Sequence, residues 1–336
     1  EVGGDPQRFG ISVPDFHEAC RESLERYPAA MLASSTHDTK RSEDVRARLV
    51  LLSEIPETWG ETVRRWMHRN ARHRSGSYPD PATEYLLYQT MVGAWPIDGE
   101  RLAGYVEKAI REAKLHTNWT QPDRDYEQSV QDFALDLLED EGFRETVDAF
   151  VKPLLLPGRV NSLAQTLIKC TAPGVPDFYQ GTELWNLSLV DPDNRRPVDF
   201  ERRSRLLAEL DALSPAQILA RIDAGLPKLW VIRQALALRN RSPETFGPEG
   251  AYEPLAARGE KAEHALAYLR GERALVLVPR LILGLGDDWR DTFLTLPRGR
   301  WHNCLSGISL DAGDHPVADI LAPFPVALFE RLEEGS

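Results

Sequence analysis

Residues 34–44 read Ser-Ser-Thr-His-Asp-Thr-Lys-Arg-Ser-Glu-Asp. Within them an imidazole, a carboxylate and two fixed cations crowd together as His37, Asp38, Lys40 and Arg41. Active sites draw on these residue types. A short polar pair after a strand also serves as a plain loop cap, and the local pattern leaves both readings open.

The flanking sequence says what delivers these groups. The apolar run Met31-Leu32-Ala33 stops at small hydroxyl residues. A helix start follows the cations: Ser42 suits the N-cap, and Glu43 and Asp44 put negative charge in the first turn. Val45, Leu49 and Leu52 then recur at helical spacing. A parallel strand delivers polar groups in this way to the carboxyl end of a sheet or barrel, where α/β proteins build their sites.

A second unit of this kind lies further on. Pro157-Gly158-Arg159-Val160-Asn161 reads as a turn and Ser162 as a helix cap, with Leu163, Leu167 and Cys170 on one face. Pro173-Gly174 ends that helix, and a short strand from Val175 leads into Tyr179-Gln180-Gly181-Thr182-Glu183. The loop Asp191-Pro192-Asp193-Asn194-Arg195-Arg196-Pro197 follows. Its density of Asp, Asn and Arg suits hydroxyl recognition and equally suits internal pairing.

Between these units, residues 55–150 show helical stripes without strand alternation: Trp59, Val63, Trp66 and Met67, then Tyr85, Leu86, Tyr88, Gln89 and Met91. Such aromatic stripes read as helix packing and not as a cofactor box. The polar turn Lys114–Asp123, which carries Trp119, is an interhelical loop or a sugar contact. His68 and His73 do not share a helix face, so no metal site is expected. Gly3-Gly4 lacks the further glycines of a phosphate cradle and reads as a turn. Residues 201–241 are helical. From 251 the period shifts to two, with strands expected at 251–257, 264–270, 273–280, 291–296, 299–304 and 325–332, forming a β-sandwich.

Composition sets outer bounds. The chain has 336 residues, 42% hydrophobic and 27% charged, with a formal net charge of -12. That is enough to bury a core, and no basic patch points to nucleic acid or an anionic membrane surface. No apolar run is long enough for a transmembrane helix. Cys20, Cys170 and Cys304 lack zinc or redox spacing and read as reduced thiols of a cytoplasmic protein. The chain opens on Glu1-Val2-Gly3-Gly4, without an initiator Met, and shows no signal peptide.

The string Ser-Thr-His-Asp-Thr-Lys-Arg-Ser-Glu-Asp resembles the fourth conserved segment of the α-amylase clan of glycoside hydrolases, and within it the maltooligosyltrehalose synthases, (1→4)-α-D-glucan 1-α-D-glucosylmutases. Residues 80–90, 114–126, 151–200 and the β tail carry further likeness. The resemblance implies an α/β fold with an all-β tail: the last strands of a (β/α)8 barrel with a helical insertion, then a C-terminal β-sandwich. Its expected boundaries are 1–54 for the barrel part with the seventh strand, 55–150 for the insertion, 151–243 for the eighth strand and helices, and 244–336 for the sandwich.

The implied reaction detaches the reducing-end glucosyl unit of a maltooligosaccharide and rejoins it, turning an α-1,4 into an α-1,1 link. It needs no metal or organic cofactor. Retaining chemistry of this kind uses two carboxyls about 5 Å apart and an oxocarbenium-like transition state. The resemblance makes Asp38 the third carboxylate, the transition-state stabiliser. It makes His37, Lys40, Arg41, Tyr179, Gln180, Asp191, Asp193 and Arg195 substrate-binding. The nucleophilic Asp and acid/base Glu match nothing here and are expected on a missing amino-terminal half, so these residues alone should be inactive. A hydrolase of the same clan and a non-catalytic glucan-binding fragment are the alternatives.

Overall fold

The computed structural model describes residues 7, 10–286 and 288–333; the Gly3-Gly4 turn lies outside them. In chain order the elements are α1 (Val13–Arg26), β1 (Met31–Ala33), α2 (Glu43–Leu49), α3 (Pro56–Asn70), α4 (Pro81–Ala94), α5 (Gly99–Ala113), α6 (Arg124–Glu139), α7 (Glu141–Val151) and α8 (Leu155–Thr171). After β2 (Val175–Asp177) come α9 (Phe200–Glu209), α10 (Pro215–Ala220), α11 (Leu226–Arg241) and α12 (Pro243–Phe246). The tail is β3 (Tyr252–Leu255), β4 (Ala265–Arg270), β5 (Ala274–Pro279), α13 (Ile282–Leu285), β6 (Phe293–Asn303), β7 (Ser309–Pro316), α14 (Val317–Leu321) and β8 (Ala327–Leu332). Side-chain caps fix many helix starts, because the first backbone N–H groups of a helix lack internal partners. Asp80, Asp98, Asp123 and Asp140 cap α4 to α7 in turn. Among the described residues no helix is long and apolar enough to cross a membrane.

The chain divides into two compact units. The first comprises Glu1–Thr36, Arg159–Asn186 and Val198–Ser336. In it β1 and β2 pair in parallel, Met31 opposite Val175 and Ala33 opposite Asp177. The tail strands form one sheet in the order β3-β4-β5-β8-β6-β7, antiparallel throughout. Every residue of β4 and β5 is buried, because both faces are covered. Leu266, Tyr268, Val276 and Val278 pack with Leu163 and Leu167 of α8 and Val231 and Ala235 of α11. The alternate residues Ala267, Leu269, Leu275 and Leu277 pack with Leu294, Leu296 and Trp301 of β6 and Ile320 of α14. The tail is thus one curled antiparallel sheet, packed on α8 and α11 by one face of β4 and β5 and on β6 and α14 by the other.

Three local expectations need correction. The strands expected at 291–296 and 299–304 are one strand, β6. Leu296 faces Gly313 and Arg300 faces Asp311, so the Pro297-Arg298-Gly299 stretch is a bulge and not a turn. β7 was not anticipated: it is an edge strand without a single buried residue and with no β-branched residue to signal it. Pro157-Gly158-Arg159 lies inside α8, not in a turn before it. Pro157 sits in the first turn, where its missing N–H breaks no helical bond. Gly158 is there for close packing, since a Cβ would lie 3.2 Å from the Arg48 Cα.

The second unit comprises His37–Gly158 and Leu187–Pro197. Its core holds Trp59, Trp66, Tyr88, Phe143 and Phe150 in mutual edge or tilted contact, so the aromatic stripes are packing. α2 presses onto α4: a Cβ on Gly93 would come within 2.8 Å of Val45. Arg48 clamps the contact by donating to the Val92 and Trp95 carbonyls at 3.1 and 2.8 Å.

Candidate functional site

Residues 37–42 belong to the second unit together with the loop 187–197. Backbone bonds join the two stretches. Val190 N–H donates to the Lys40 carbonyl at 3.0 Å and Ser42 N–H to the Ser188 carbonyl at 2.9 Å, with Arg41 opposite Leu189. Ser42 holds the N-cap position of α2, but its hydroxyl makes no capping bond.

The expected site residues differ sharply in how they are occupied. His37 is half exposed; its Nε2 lies 2.8 Å from an Arg195 NH2, and Asn194 Nδ2 donates to its carbonyl at 2.7 Å. Lys40 Nζ donates to Glu112 of α5 at 2.6 Å. Arg41 reaches α4, donating to Thr90 Oγ1 at 3.2 Å and to Gln89 Oε1 at 3.4 Å. Asp191 pairs with Arg195 at 2.8 Å and lies 3.8 Å from Lys108. Asp38 is the exception. Its side chain is 73% exposed, and among the described residues its only ion-pair neighbour is His37, at 3.8 Å.

Asp193 is the opposite case. Its side chain is 3% exposed and accepts from Arg101 Nε at 2.8 Å, Arg101 NH2 at 3.0 Å and the Leu189 N–H at 2.7 Å; Arg196 Nε donates to the Asp193 carbonyl at 3.0 Å and lies 2.9 Å from the carboxylate as an ion pair. Those bonds account for the carboxylate, which ties the loop to α5. Tyr179 and Gln180 lie in the first unit, after β2; the Tyr179 carbonyl accepts from Thr182 N–H at 3.0 Å, and Gln180 is exposed. Glu183 in the same loop accepts from Arg203 at 2.9 Å.

Sequence reasoning missed Lys108 and Glu112. Their only signal was spacing of one helical turn on α5, which an ordinary surface ion pair also gives. The Lys114–Asp123 turn is built from within. Asn118 Oδ1 accepts from the Thr120 and Gln121 N–H groups at 3.0 and 2.8 Å. Arg111 donates twice to Glu127 at 2.7 Å, and Thr117 Oγ donates to it at 2.7 Å. The Arg111 bonds, joined by that of Thr117, hold the Glu127 carboxyl down at about 2. Trp119 lies over the Arg111 guanidinium at 4.8 Å and is 56% exposed. Among the described residues no group of three or more His, Cys, Asp or Glu could hold a metal ion.

No protein-family model matches the chain. Over 98% of its length it is 40% identical to a Mycobacterium tuberculosis protein that bears the name maltooligosyl trehalose synthase, and it covers 41% of that protein. It superposes on the maltooligosyltrehalose synthase of Arthrobacter ramosus with a TM-score of 0.88 at 40% identity, covering 98% of this chain and 42% of that one. A hypothetical maltooligosyl trehalose synthase of Sulfolobus tokodaii matches with a TM-score of 0.79 at 30% identity, covering 98% and 42%. In sequence and in fold the chain is similar to maltooligosyl trehalose synthases, and it spans about two fifths of the length of the relatives it matches.

Proposed function

We propose that this chain is the carboxyl-terminal part of an intramolecular transglucosylase that converts the reducing-end α-1,4 bond of a maltooligosaccharide into an α-1,1 bond. The observation that carries the reading is Asp38. Its carboxylate is exposed, while Lys40 and Arg41, two and three positions further on, are held by α5 and α4, and His37 by Arg195 of the 187–197 loop. A carboxylate kept available in this way suits the stabilisation of an oxocarbenium-like transition state.

In this reading His37 bonds sugar hydroxyls beside Asp38. Lys40 and Arg41 grip the glucose released on bond cleavage, which must be held and shielded from water or hydrolysis wins. β1 and β2 would be the seventh and eighth strands of a (β/α)8 barrel in a cytoplasmic enzyme. The nucleophile and the acid/base would come from chain preceding residue 1. The test is to give maltopentaose to the full-length enzyme and to these 336 residues alone. The full-length enzyme should yield a non-reducing product of unchanged length, and the shorter chain nothing. Glucose and shortened chains as the main products of the full-length enzyme would assign it to hydrolysis instead.

A further inference from the structure

We infer that Glu112 of α5 positions Lys40 and thereby sets the grip on the reducing-end sugar; this rests on the function proposed above. Lys40 Nζ donates to Glu112 Oε2 at 2.6 Å. The other Glu112 oxygen lies 3.9 Å from Lys108 Nζ, which in turn lies 3.8 Å from Asp191. Asp191 binds Arg195 at 2.8 Å, and Arg195 reaches His37 at 2.8 Å. Charge alternates along this run from Lys40 to Arg195. The two ends of the 37–40 segment are therefore tied to one another through α5, within a single compact unit.

A lysine ammonium rides on a four-carbon stem with many rotamers, so it is a poor specificity element unless something holds it. Glu112 does so while both side chains stay about a third exposed, 36% for Lys40 and 35% for Glu112. The ammonium has three donors, so the bond to Glu112 leaves others to meet a sugar hydroxyl.

The experiment is a double-mutant cycle in the full-length enzyme with maltopentaose: wild type, Glu112→Gln, Lys40→Met and the pair, each followed by KM, kcat, glucose released and thermal midpoint. Glu112→Gln should raise KM about fivefold and change kcat by less than about twofold, the scale of one exposed ion pair that orders a binding group. Its thermal midpoint should match wild type, because the swap keeps shape at a part-exposed site. In the Lys40→Met background the same substitution should change KM no further, since it acts only through that ammonium. An unchanged KM in the single variant, or additive effects in the pair, overturns the role of Glu112. Wild-type enzyme that forms no α-1,1-linked product overturns the functional reading beneath it, and that result is separable because it shows in the unmutated protein.

Discussion

Arg195 holds His37 by its Nε2 nitrogen, at 2.8 Å. A guanidinium can only donate, so Nε2 must accept and the ring proton belongs on Nδ1. The rival partner for an Nε2–H is Asp38, and at 3.8 Å that is no hydrogen bond. Long-range proton–nitrogen correlation spectra should therefore show the His37 ring proton on Nδ1, with Nε2 unprotonated. Arg195→Ala should relax that preference. Finding Nε2 protonated in the unmutated protein would contradict the assignment.

Asp193 is a structural residue by its surroundings, although it sits in the loop read as hydroxyl-binding. The buried carboxylate accepts twice from the Arg101 guanidinium and once from a backbone N–H, with Arg196 beside it as an ion pair. Removing one partner of such a pair leaves buried charge uncompensated, at a cost of about 3–5 kcal/mol. Asp193→Ala should lose stability on that scale in urea unfolding. A variant as stable as wild type would show that the loop does not depend on this pair.

Gly174 precedes β2 with φ +129°, and a Cβ there would lie 2.7 Å from the Ala30 carbonyl oxygen. That same oxygen accepts the Val175 N–H at 2.9 Å, the bond that starts the β1–β2 pairing. The backbone conformation alone costs a non-glycine residue about 1–3 kcal/mol, and the clash adds to it. Gly174→Ala should lower the thermal midpoint by several degrees, whereas Gly76→Ala, whose Cβ meets nothing within 4 Å, should lower it less.

Local patterns revealed some of this architecture. Helices α2, α3 and α4 showed themselves through apolar spacing, because a helix bond pattern is local. Met31-Leu32-Ala33 was readable as a strand because the polar turn behind it and the helix start after it agree. What was not readable depends on distant partners. Pro297-Gly299 looks like a turn until β7 and β8 are both placed beside β6. Pro157-Gly158 looks like one until Arg48 is seen packed on the glycine. Asp191 and Asp193 are two positions apart and chemically alike. Only Arg101, some ninety residues away, makes one of them a buried strut. Glu112 escaped notice for the same reason: its partner Lys40 lies on another element.

The helical unit should weaken in acid through Glu127. Arg111 and Thr117 hold this carboxyl at about 2, against 4.5 for a free side chain. A folded value below the unfolded one adds stability that is complete above pH 4.5 and is lost as pH falls from there toward about 2. Urea midpoints of the wild type should drop across that window, and Glu127→Gln should flatten the drop while lowering stability at neutral pH. Equal slopes for the two proteins would mean that another carboxylate, such as Asp140, also held at about 2, carries the acid sensitivity.

Asp38→Asn should behave in the reverse way to Asp193→Ala. The side chain is 73% exposed, and among the described residues its only ion-pair neighbour is His37, at 3.8 Å. Exchanging carboxylate for amide there should move stability by no more than about 0.5 kcal/mol, as at other open surface sites. The loss should fall on the chemical step. A fixed charge aimed at charge that develops only in the transition state is worth about 10²–10³ in kcat, and its removal leaves ground-state binding nearly intact. In the full-length enzyme, kcat on maltopentaose should therefore collapse while KM and the thermal midpoint hold. Near-normal turnover would remove Asp38 from the mechanism. A collapse of kcat together with a falling thermal midpoint would mean that the substitution acted by disturbing the fold.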